Sequence, residues 1–149
     1  MTQTSFAAVV GLIQANAFLE ARFSSELASV HGLGLKEALL LMHLERAPLQ
    51  RLTRVDIAKR LHLNPSTVTR MALPLEKIGL VERQADARDA RLAYVALTES
   101  AKAIVQDVRA TFERRSADLF KDRWSEAEIA TFASLLGRLS ANTPSDLAE

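Results

Sequence analysis

Cysteine is absent from this sequence of 149 residues. Disulfides, thiolate metal sites, thiol nucleophiles and cysteine-based oxidant sensing are therefore excluded. Uninterrupted apolar stretches are also short, and the longest, residues 6–13 and 38–42, fall far below the ~20 residues that cross a bilayer. No basic segment with a small-residue cleavage site precedes them. We therefore expect a cytoplasmic protein that is neither secreted nor inserted in a membrane.

Sequence signatures of common catalytic sites are missing as well. There is no Gly-x-Ser-x-Gly nucleophile motif, no glycine-rich phosphate loop and no His-Glu-x-x-His zinc motif. The three histidines, His31, His43 and His62, are scattered singly, which indicates neither a catalytic triad nor a metal site. We therefore expect a protein that is not an enzyme and that has no metal or cofactor.

Charge is balanced over the whole chain but not along it. The net charge is +1, yet residues 51–91 hold nine Lys and Arg against five Asp and Glu, a net charge of +4. The remaining residues hold 10 against 13, a net charge of −3. At this length we expect one compact unit. A basic middle between mildly acidic ends is compatible with nucleic-acid binding, but ordinary surface scatter explains it equally well.

Apolar residues recur at helical spacing in six segments, which predicts a mainly α fold. The predicted helices cover approximately residues 4–31, 35–45, 53–61, 65–78, 98–120 and 125–139. Thr98 is the predicted cap of the fifth helix. Ser125 caps the sixth, in a capping box with Glu128.

The third and fourth helices are short and follow each other closely. Thr53, with Asp56 three residues later, caps the third. An Asn-Pro pair at residues 64–65 opens the fourth, because Asn caps free amides and Pro at the first helical position loses no helical bond. Gly79 ends this helix. Since Pro74 lies inside it, we expect only its first half to be regular.

After the fourth helix, the spacing of the apolar residues no longer fits a helix. Residues 80–84 and 91–97 are predicted as short strands. A polar tip of six residues, 85–90, joins them. The expected fold class is therefore mainly α with a small antiparallel β wing, a winged helix-turn-helix between N- and C-terminal helices.

The fourth helix has the polar face expected of a DNA-recognition helix. On a helical wheel, Ser66, Arg70 and Lys77 lie almost opposite the apolar stripe, with Thr67 and Thr69 on the flanks. Small hydroxyls approach bases and phosphates closely, and an arginine bonds a guanine edge in bidentate fashion. The alternative is a solvated helix face, which this segment taken alone favours.

A hairpin directly after such a helix strengthens the DNA-binding interpretation. Its tip carries Arg88 between Asp86 and Asp89, and Arg91 starts the returning strand. An arginine there can enter a narrow minor groove, and we expect Asp86 to hold Arg88 or Arg91 extended by charge-assisted hydrogen bonds. Asn64 and the start of the fourth helix favour a phosphate. The alternative is a surface ion-pair cluster of little energetic consequence.

Three motifs follow one another at fixed spacing: LEKIGLV at residues 75–81, DARDAR at residues 86–91 and LTE at residues 97–99. Together they resemble the MarR family of bacterial and archaeal transcriptional regulators, whose order of helices and wing matches nearly the whole chain. The resemblance implies a homodimer through helices in residues 1–34 and 99–142 and a winged DNA-binding module in residues 35–98. Residues 143–149 are expected to form a disordered tail.

The resemblance also implies which residues contact double-stranded DNA. The expected major-groove residues are Asn64, Ser66, Thr67, Thr69 and Arg70, the wing residues are Asp86, Arg88 and Arg91, and Arg54 and Lys77 are assigned to the DNA backbone. It further implies a palindromic operator, with repression favoured over activation, and release by a small anionic or phenolic effector. Arg22, His31 and His43 are candidates for the effector cleft, although a core histidine is the favoured alternative for His43.

The chain departs from the family pattern at three places. Residues 98–101 read Thr-Glu-Ser-Ala where the family commonly has Thr-x-x-Gly. His62 stands at a turn position where the family often has Gly, and we expect it to tolerate a positive φ. Pro74 stands where many members have a helix former.

Large apolar side chains lie on more than one face of the terminal helices. They are Phe6, Leu12, Ile13, Phe18, Phe132, Leu135 and Leu139. A two-fold partner would bury them, whereas an ordinary intrachain core is the alternative. For the function, the alternative is a dimeric architectural or protein-interaction module that keeps the fold but reads no sequence.

Overall fold

The structure is a computed structural model that describes residues 2–141. Within this range the chain forms six α-helices, one 3-10 turn and three strands. In chain order they are α1 (Thr2–His31), α2 (Leu35–Arg46), the 3-10 turn (Pro48–Gln50), β1 (Arg51–Thr53), α3 (Arg54–Leu61), α4 (Pro65–Lys77), β2 (Val81–Ala85), β3 (Ala93–Leu97), α5 (Ala101–Phe120) and α6 (Glu126–Leu139). The predicted fold class is confirmed, and the predicted disordered tail lies outside the described residues.

The wing is a three-stranded antiparallel sheet in the order β1-β3-β2. The pairs Leu52 with Val95 and Val81 with Leu97 put four buried side chains on the face that packs against the core. The sequence predicts only two of the three strands. It misses β1 because Leu52 is the one buried residue in a segment of three, which leaves no alternation to detect.

The ends of α3 and α4 follow the local sequence. Thr53 Oγ1 accepts a hydrogen bond from the backbone N–H of Asp56 at 3.2 Å, as predicted for an N-cap. His62 ends α3 in the left-handed region with φ 54°, which confirms the expected positive φ. Pro65 is the first residue of α4, and Gly79, with φ 79°, follows its end. The two helices are therefore separated by a tight turn.

Two local expectations are wrong. The first concerns Pro74, because α4 remains a continuous α-helix through this residue. Pro74 lies in the last turn of α4, so only a few helical residues follow it that a kink could displace. The second concerns Thr98, which does not cap α5. Its hydroxyl donates to the Gly79 carbonyl at 2.6 Å, and α5 begins only at Ala101. Thr98 therefore joins the end of the sheet to the turn after α4.

The hydrophobic core lies among α2 to α5 and the inner face of the sheet. Leu40, Leu41 and Leu44 of α2 are completely buried in it. The terminal helices take little part, since α1 buries only Phe23 and Leu27, and α6 buries no residue. Most side chains of α1 and of α6 are therefore exposed.

By length and composition, α1 is apolar enough to cross a membrane, with a mean hydropathy of 1.3. The sequence analysis missed this property because it counted uninterrupted runs, and Gln14 and Asn16 interrupt them. None of the apolar window is buried within the chain. Phe6, Val9 and Ile13 are 71%, 55% and 64% exposed, so they form an apolar stripe without a partner in residues 2–141.

Polar side-chain contacts near the middle of α5 help to fasten it to the helices beside it. Arg109 Nε donates to Glu45 Oε1 of α2 at 2.9 Å, in a mostly buried ion pair. His31, the last residue of α1, has Nε2 at 2.8 Å from Thr111 Oγ1. Because the Thr111 hydroxyl donates to the Asp107 carbonyl at 3.2 Å, the imidazole is the donor in this second contact.

Candidate nucleic-acid interface

The N-terminal end of α4 presents a polar, exposed face. Val68 and Leu75 are fully buried, whereas Ser66 and Arg70 are exposed, as the helical wheel predicts. Asn64 is the residue before the helix, but its side chain makes no capping hydrogen bond, which corrects the expectation that it caps the free amides. The first-turn amides therefore have no side-chain partner from Asn64.

Two pairs of predicted DNA-contacting residues bond to each other. Arg54, the first residue of α3, donates from Nη1 to Thr69 Oγ1 at 2.7 Å. Thr69 in turn donates its hydroxyl proton to the Pro65 carbonyl at 3.2 Å. Arg70 Nη2 lies 3.3 Å from Thr67 Oγ1, one turn earlier in α4. Arg54 and Thr69, which the sequence analysis assigns to the DNA backbone and to the major groove, thus form one unit across the helix-turn-helix.

A cleft of about 230 Å³ lies between α4 and the sheet. Its lining combines apolar side chains, such as Leu73 and Val95, with two arginines, Arg54 and Arg83. Lys77 is exposed at the end of α4 and does not line this cleft. A cleft therefore separates the polar face of α4 from the wing.

Asp86 orders the tip of the wing through the backbone. Its Oδ1 accepts hydrogen bonds from the backbone N–H groups of Arg88 at 2.7 Å and Asp89 at 3.1 Å. These bonds, that of Arg88 first, favour the ionised carboxylate and lower the pKa of Asp86 from its ordinary value of 3.8. The expectation that Asp86 holds an arginine side chain is therefore wrong, since the carboxylate holds amides.

The two arginines of the tip differ in how they are held. Asp89 Oδ1 accepts a hydrogen bond from the backbone N–H of Arg91 at 3.0 Å and lies 3.5 Å from its Nε. The Arg91 side chain nevertheless remains 94% exposed. The guanidinium of Arg88 is exposed and has no acidic partner among residues 2–141. Both cations therefore extend into solvent from an ordered backbone.

The sequence analysis misses two residues of the sheet that support this tip, Tyr94 directly and Arg51 through Tyr94. The Tyr94 hydroxyl donates to Asp86 Oδ2 at 3.2 Å. Arg51 lies over the Tyr94 ring with Cζ 4.2 Å from the centroid, and its Nη1 is 3.4 Å from Gln84 Oε1. Tyr94 is visible in the sequence only as an aromatic strand residue. Arg51 gives no signal, because β1 itself is not predicted.

The three candidate effector residues do not share one cleft. Arg22 lines a small cleft of about 100 Å³ with Phe23, Glu26 and Arg115. Arg115 donates to Glu26 at 2.7 Å, and this bond raises the pKa of Arg115. His31 and His43 do not line this cleft. His43 is only 4% exposed within α2, as the core-histidine alternative predicts.

Comparison with known sequences places the winged module in a family. Residues 33–92 match the model of the MarR family. The transcriptional regulator AdcR of Streptococcus pyogenes is 40% identical over 58 residues, which are 39% of this chain and 40% of that protein. The match to this curated relative therefore spans less than half of its length.

Solved structures are similar over a larger part of the chain. Sco3205, a MarR family transcriptional regulator from Streptomyces coelicolor solved in complex with DNA, has a TM-score of 0.83 at 20% identity, covering 98% of this chain and 92% of that one. AbsC, a MarR family regulator from the same organism, has a TM-score of 0.81 at 19% identity, covering 95% of each chain. These relatives are transcriptional regulators, in agreement with the expectation that the protein is not an enzyme. Residues 33–92 therefore carry the sequence pattern of the MarR family, and over the described residues the chain has the fold of the solved MarR-family regulators.

Proposed function

We propose that the protein is a homodimeric transcriptional regulator that binds palindromic operator DNA, with repression favoured over activation. The observation that carries the proposal is the pairing, on one module, of the exposed polar start of α4 with an ordered, arginine-bearing wing tip. In this proposal α4 enters the major groove, and Arg88 and Arg91 reach the adjacent minor groove. The fold likeness to a regulator solved with DNA supports this arrangement.

The proposal gives a role to the polar side chains at and just before the start of α4. Asn64, Ser66, Thr67, Thr69 and Arg70 face the major groove. The Thr69 hydroxyl accepts from Arg54 and donates to the Pro65 carbonyl, which leaves one lone pair for a base donor and a second once Arg54 turns to the DNA backbone. Arg54 would then bind a phosphate, and Lys77 a second phosphate at the other end of α4.

Exposed apolar surface on the terminal helices supports the homodimer. No residue from Thr2 to Arg22 is buried, and none in α6 is buried. Trp124, Phe132 and Leu135 line an apolar groove of about 400 Å³ on α6. A second copy of the chain would cover these surfaces by a two-fold arrangement that also places two recognition helices on successive half-sites.

We assign the apolar stripe of α1 to this dimer rather than to a bilayer. The C-terminal part of α1 packs into the core through Phe23 and Leu27, so the helix cannot leave the winged module to span a membrane. A second exposed apolar surface on α6 also needs a partner, and a bilayer around α1 would not cover it. A regulator that binds genomic DNA acts in the cytoplasm.

We further propose that a small anionic or phenolic effector releases the DNA. The cleft lined by Arg22 and Arg115 beside Phe23 offers two cations and an aromatic surface. Glu26 already pairs with Arg115, so Arg22 is the cation available to an anion. His31 bonds to Thr111, and His43 is buried within α2. In this proposal they do not touch the effector and act only through the packing of α1 and α2.

Selection of bound fragments from the source genome, followed by affinity measurements over a range of salt concentrations, tests the proposal. We expect a palindromic site that binds ~10³-fold or more tightly than random DNA at physiological salt. Affinity should fall steeply as salt rises, since phosphate contacts release counterions. Absence of salt-dependent binding to any genomic duplex contradicts the proposal.

The competing function is a dimeric architectural or protein-interaction module of the same fold. The two functions differ in sequence preference. An architectural module would bind the selected fragment and scrambled DNA with similar affinity, whereas the regulator would prefer the palindrome. The matched control is a duplex in which one half of the palindrome is scrambled, because its length and charge are unchanged.

A further inference from the structure

We infer that Arg51 and Tyr94 are positioning residues that hold the wing tip ready for the minor groove. Neither residue belongs to the tip, and neither is needed for the core. The inference rests on the proposed function, because it concerns how the wing binds DNA. Its basis is a continuous set of contacts that runs from β1 across β3 to the backbone of the tip.

The sheet brings these residues to one face. Tyr94 of β3 is directly opposite Thr53 of β1 and Gln84 of β2, and Arg51 is directly opposite Ala96, two residues along β3. Residues two apart on a strand share a face, so Arg51 is a diagonal neighbour of Tyr94 on the side away from the core. Diagonal neighbours lie within reach of long side chains. The register therefore places the Arg51 guanidinium over the ring.

Each contact in the set supports the next. The guanidinium of Arg51, 4.2 Å from the Tyr94 centroid, holds the ring by a cation–π interaction. The ring position aims the Tyr94 hydroxyl at Asp86 Oδ2, 3.2 Å away. With Oδ2 held by Tyr94, Oδ1 faces the backbone N–H groups of Arg88 and Asp89. Tyr94 thus fixes the carboxylate whose other oxygen fixes the tip.

This arrangement has a consequence for DNA binding. Residues 86–92 lie between β2 and β3, and ordering such a loop only on binding would reduce affinity. A tip that is ordered beforehand loses less conformational entropy when Arg88 or Arg91 enters the groove. Arg51 and Tyr94 therefore act on DNA affinity without touching DNA, and their effect is greatest where the minor groove is narrow.

Two conservative variants test the inference in the full-length protein. Tyr94→Phe removes only the hydroxyl, and Arg51→Lys keeps the charge but loses the planar group that stacks on the ring. The matched control is Arg123→Lys, because Arg123 is an exposed arginine between α5 and α6, outside the sheet and the candidate interface. Three quantities are measured: hydrogen exchange of the Arg88 and Asp89 amides without DNA, the ratio of affinities for operators with A·T-rich and G·C-rich flanks, and the melting temperature.

For Tyr94→Phe we expect amide exchange at the tip to become about two- to tenfold faster, and the flank ratio to fall by a similar factor, as for loss of one hydrogen bond. Arg51→Lys should change both quantities in the same direction. Arg123→Lys should change neither, and the melting temperature should stay constant in all three variants.

Unchanged amide exchange and flank ratio in Tyr94→Phe would overturn the inference. Wild-type behaviour of Arg51→Lys would also overturn it for Arg51, because only the charge of that residue would then matter. If the wild-type protein binds an operator and these variants behave as wild type, the proposed function stands and only the positioning role fails. If the wild-type protein binds no duplex, both fail.

Discussion

Replacement of Ile13 by Asp should separate the two subunits of the proposed dimer. Ile13 is 64% exposed and is the last residue of the apolar stripe of α1. Complete burial of such a side chain contributes about 1.5 to 3 kcal/mol, so covering the exposed 64% would contribute about 1 to 2 kcal/mol per subunit. Two copies meet in a two-fold dimer, so the loss is about 2 to 4 kcal/mol, or about 30- to 700-fold in the dimer dissociation constant.

The assay is light scattering coupled to gel filtration, followed by sedimentation over a range of protein concentrations. The wild-type protein should have a mass near twice the chain mass of 16.4 kDa. Val55→Asp is the matched control, because Val55 is a 52% exposed apolar residue on α3, away from the terminal helices. An unchanged dissociation constant in Ile13→Asp, or a wild-type monomer at micromolar concentration, would refute the assignment of the α1 stripe to the dimer.

Three further predictions concern the DNA-contacting surface. Arg70→Ala should weaken operator binding by about 1 to 3 kcal/mol and relax the preference at one base position, as measured by competition with singly substituted operators; an equal loss on every sequence would reassign Arg70 to phosphate. Arg88→Ala should weaken binding mainly on operators with A·T-rich flanks, and unchanged affinity there would contradict its minor-groove role. Because the pKa of Asp86 is lowered in the folded protein, its carboxylate should remain ionised and order the tip at every pH above the ordinary pKa of 3.8. This effect should be lost only as the pH falls through the lower pKa of the folded protein. Protection of the Arg88 amide should therefore be constant from about pH 5 to 8, and a loss of protection within that range would show that another group orders the tip.

Structural features that depend on residues close together in the sequence are predicted correctly. Thr53 caps α3 through Asp56, and Ser125 Oγ accepts from the Glu128 amide of α6 at 3.2 Å, because a capping residue and its partner are only three positions apart. Thr98 looks equally like a cap, but its partner is Gly79, 19 positions away. The local pattern cannot predict such a tertiary hydrogen bond.

The same distinction applies to the candidate site. Helical periodicity correctly predicts that Ser66 and Arg70 are exposed on α4, since it needs only the buried stripe as a reference. It does not predict that Arg54 bonds to Thr69, 15 positions away, because that contact depends on the angle between two helices. Arg51 escapes prediction for a related reason, since its contact with Tyr94 requires the register of β1 on β3.

The ion pair between Glu45 and Arg109 has a mechanical consequence. Together with the bond between His31 and Thr111, it holds α2 and the end of α1 against α5 as far as Thr111. We therefore expect these segments to move as one rigid unit. In the proposed dimer, an effector that changes the distance between the two winged modules would have to bend α5 beyond Arg115, which is also bonded to Glu26 of α1, or rotate one subunit against the other. We therefore expect the hinge of the proposed dimer to lie near its two-fold axis, at a distance from the winged module that it moves.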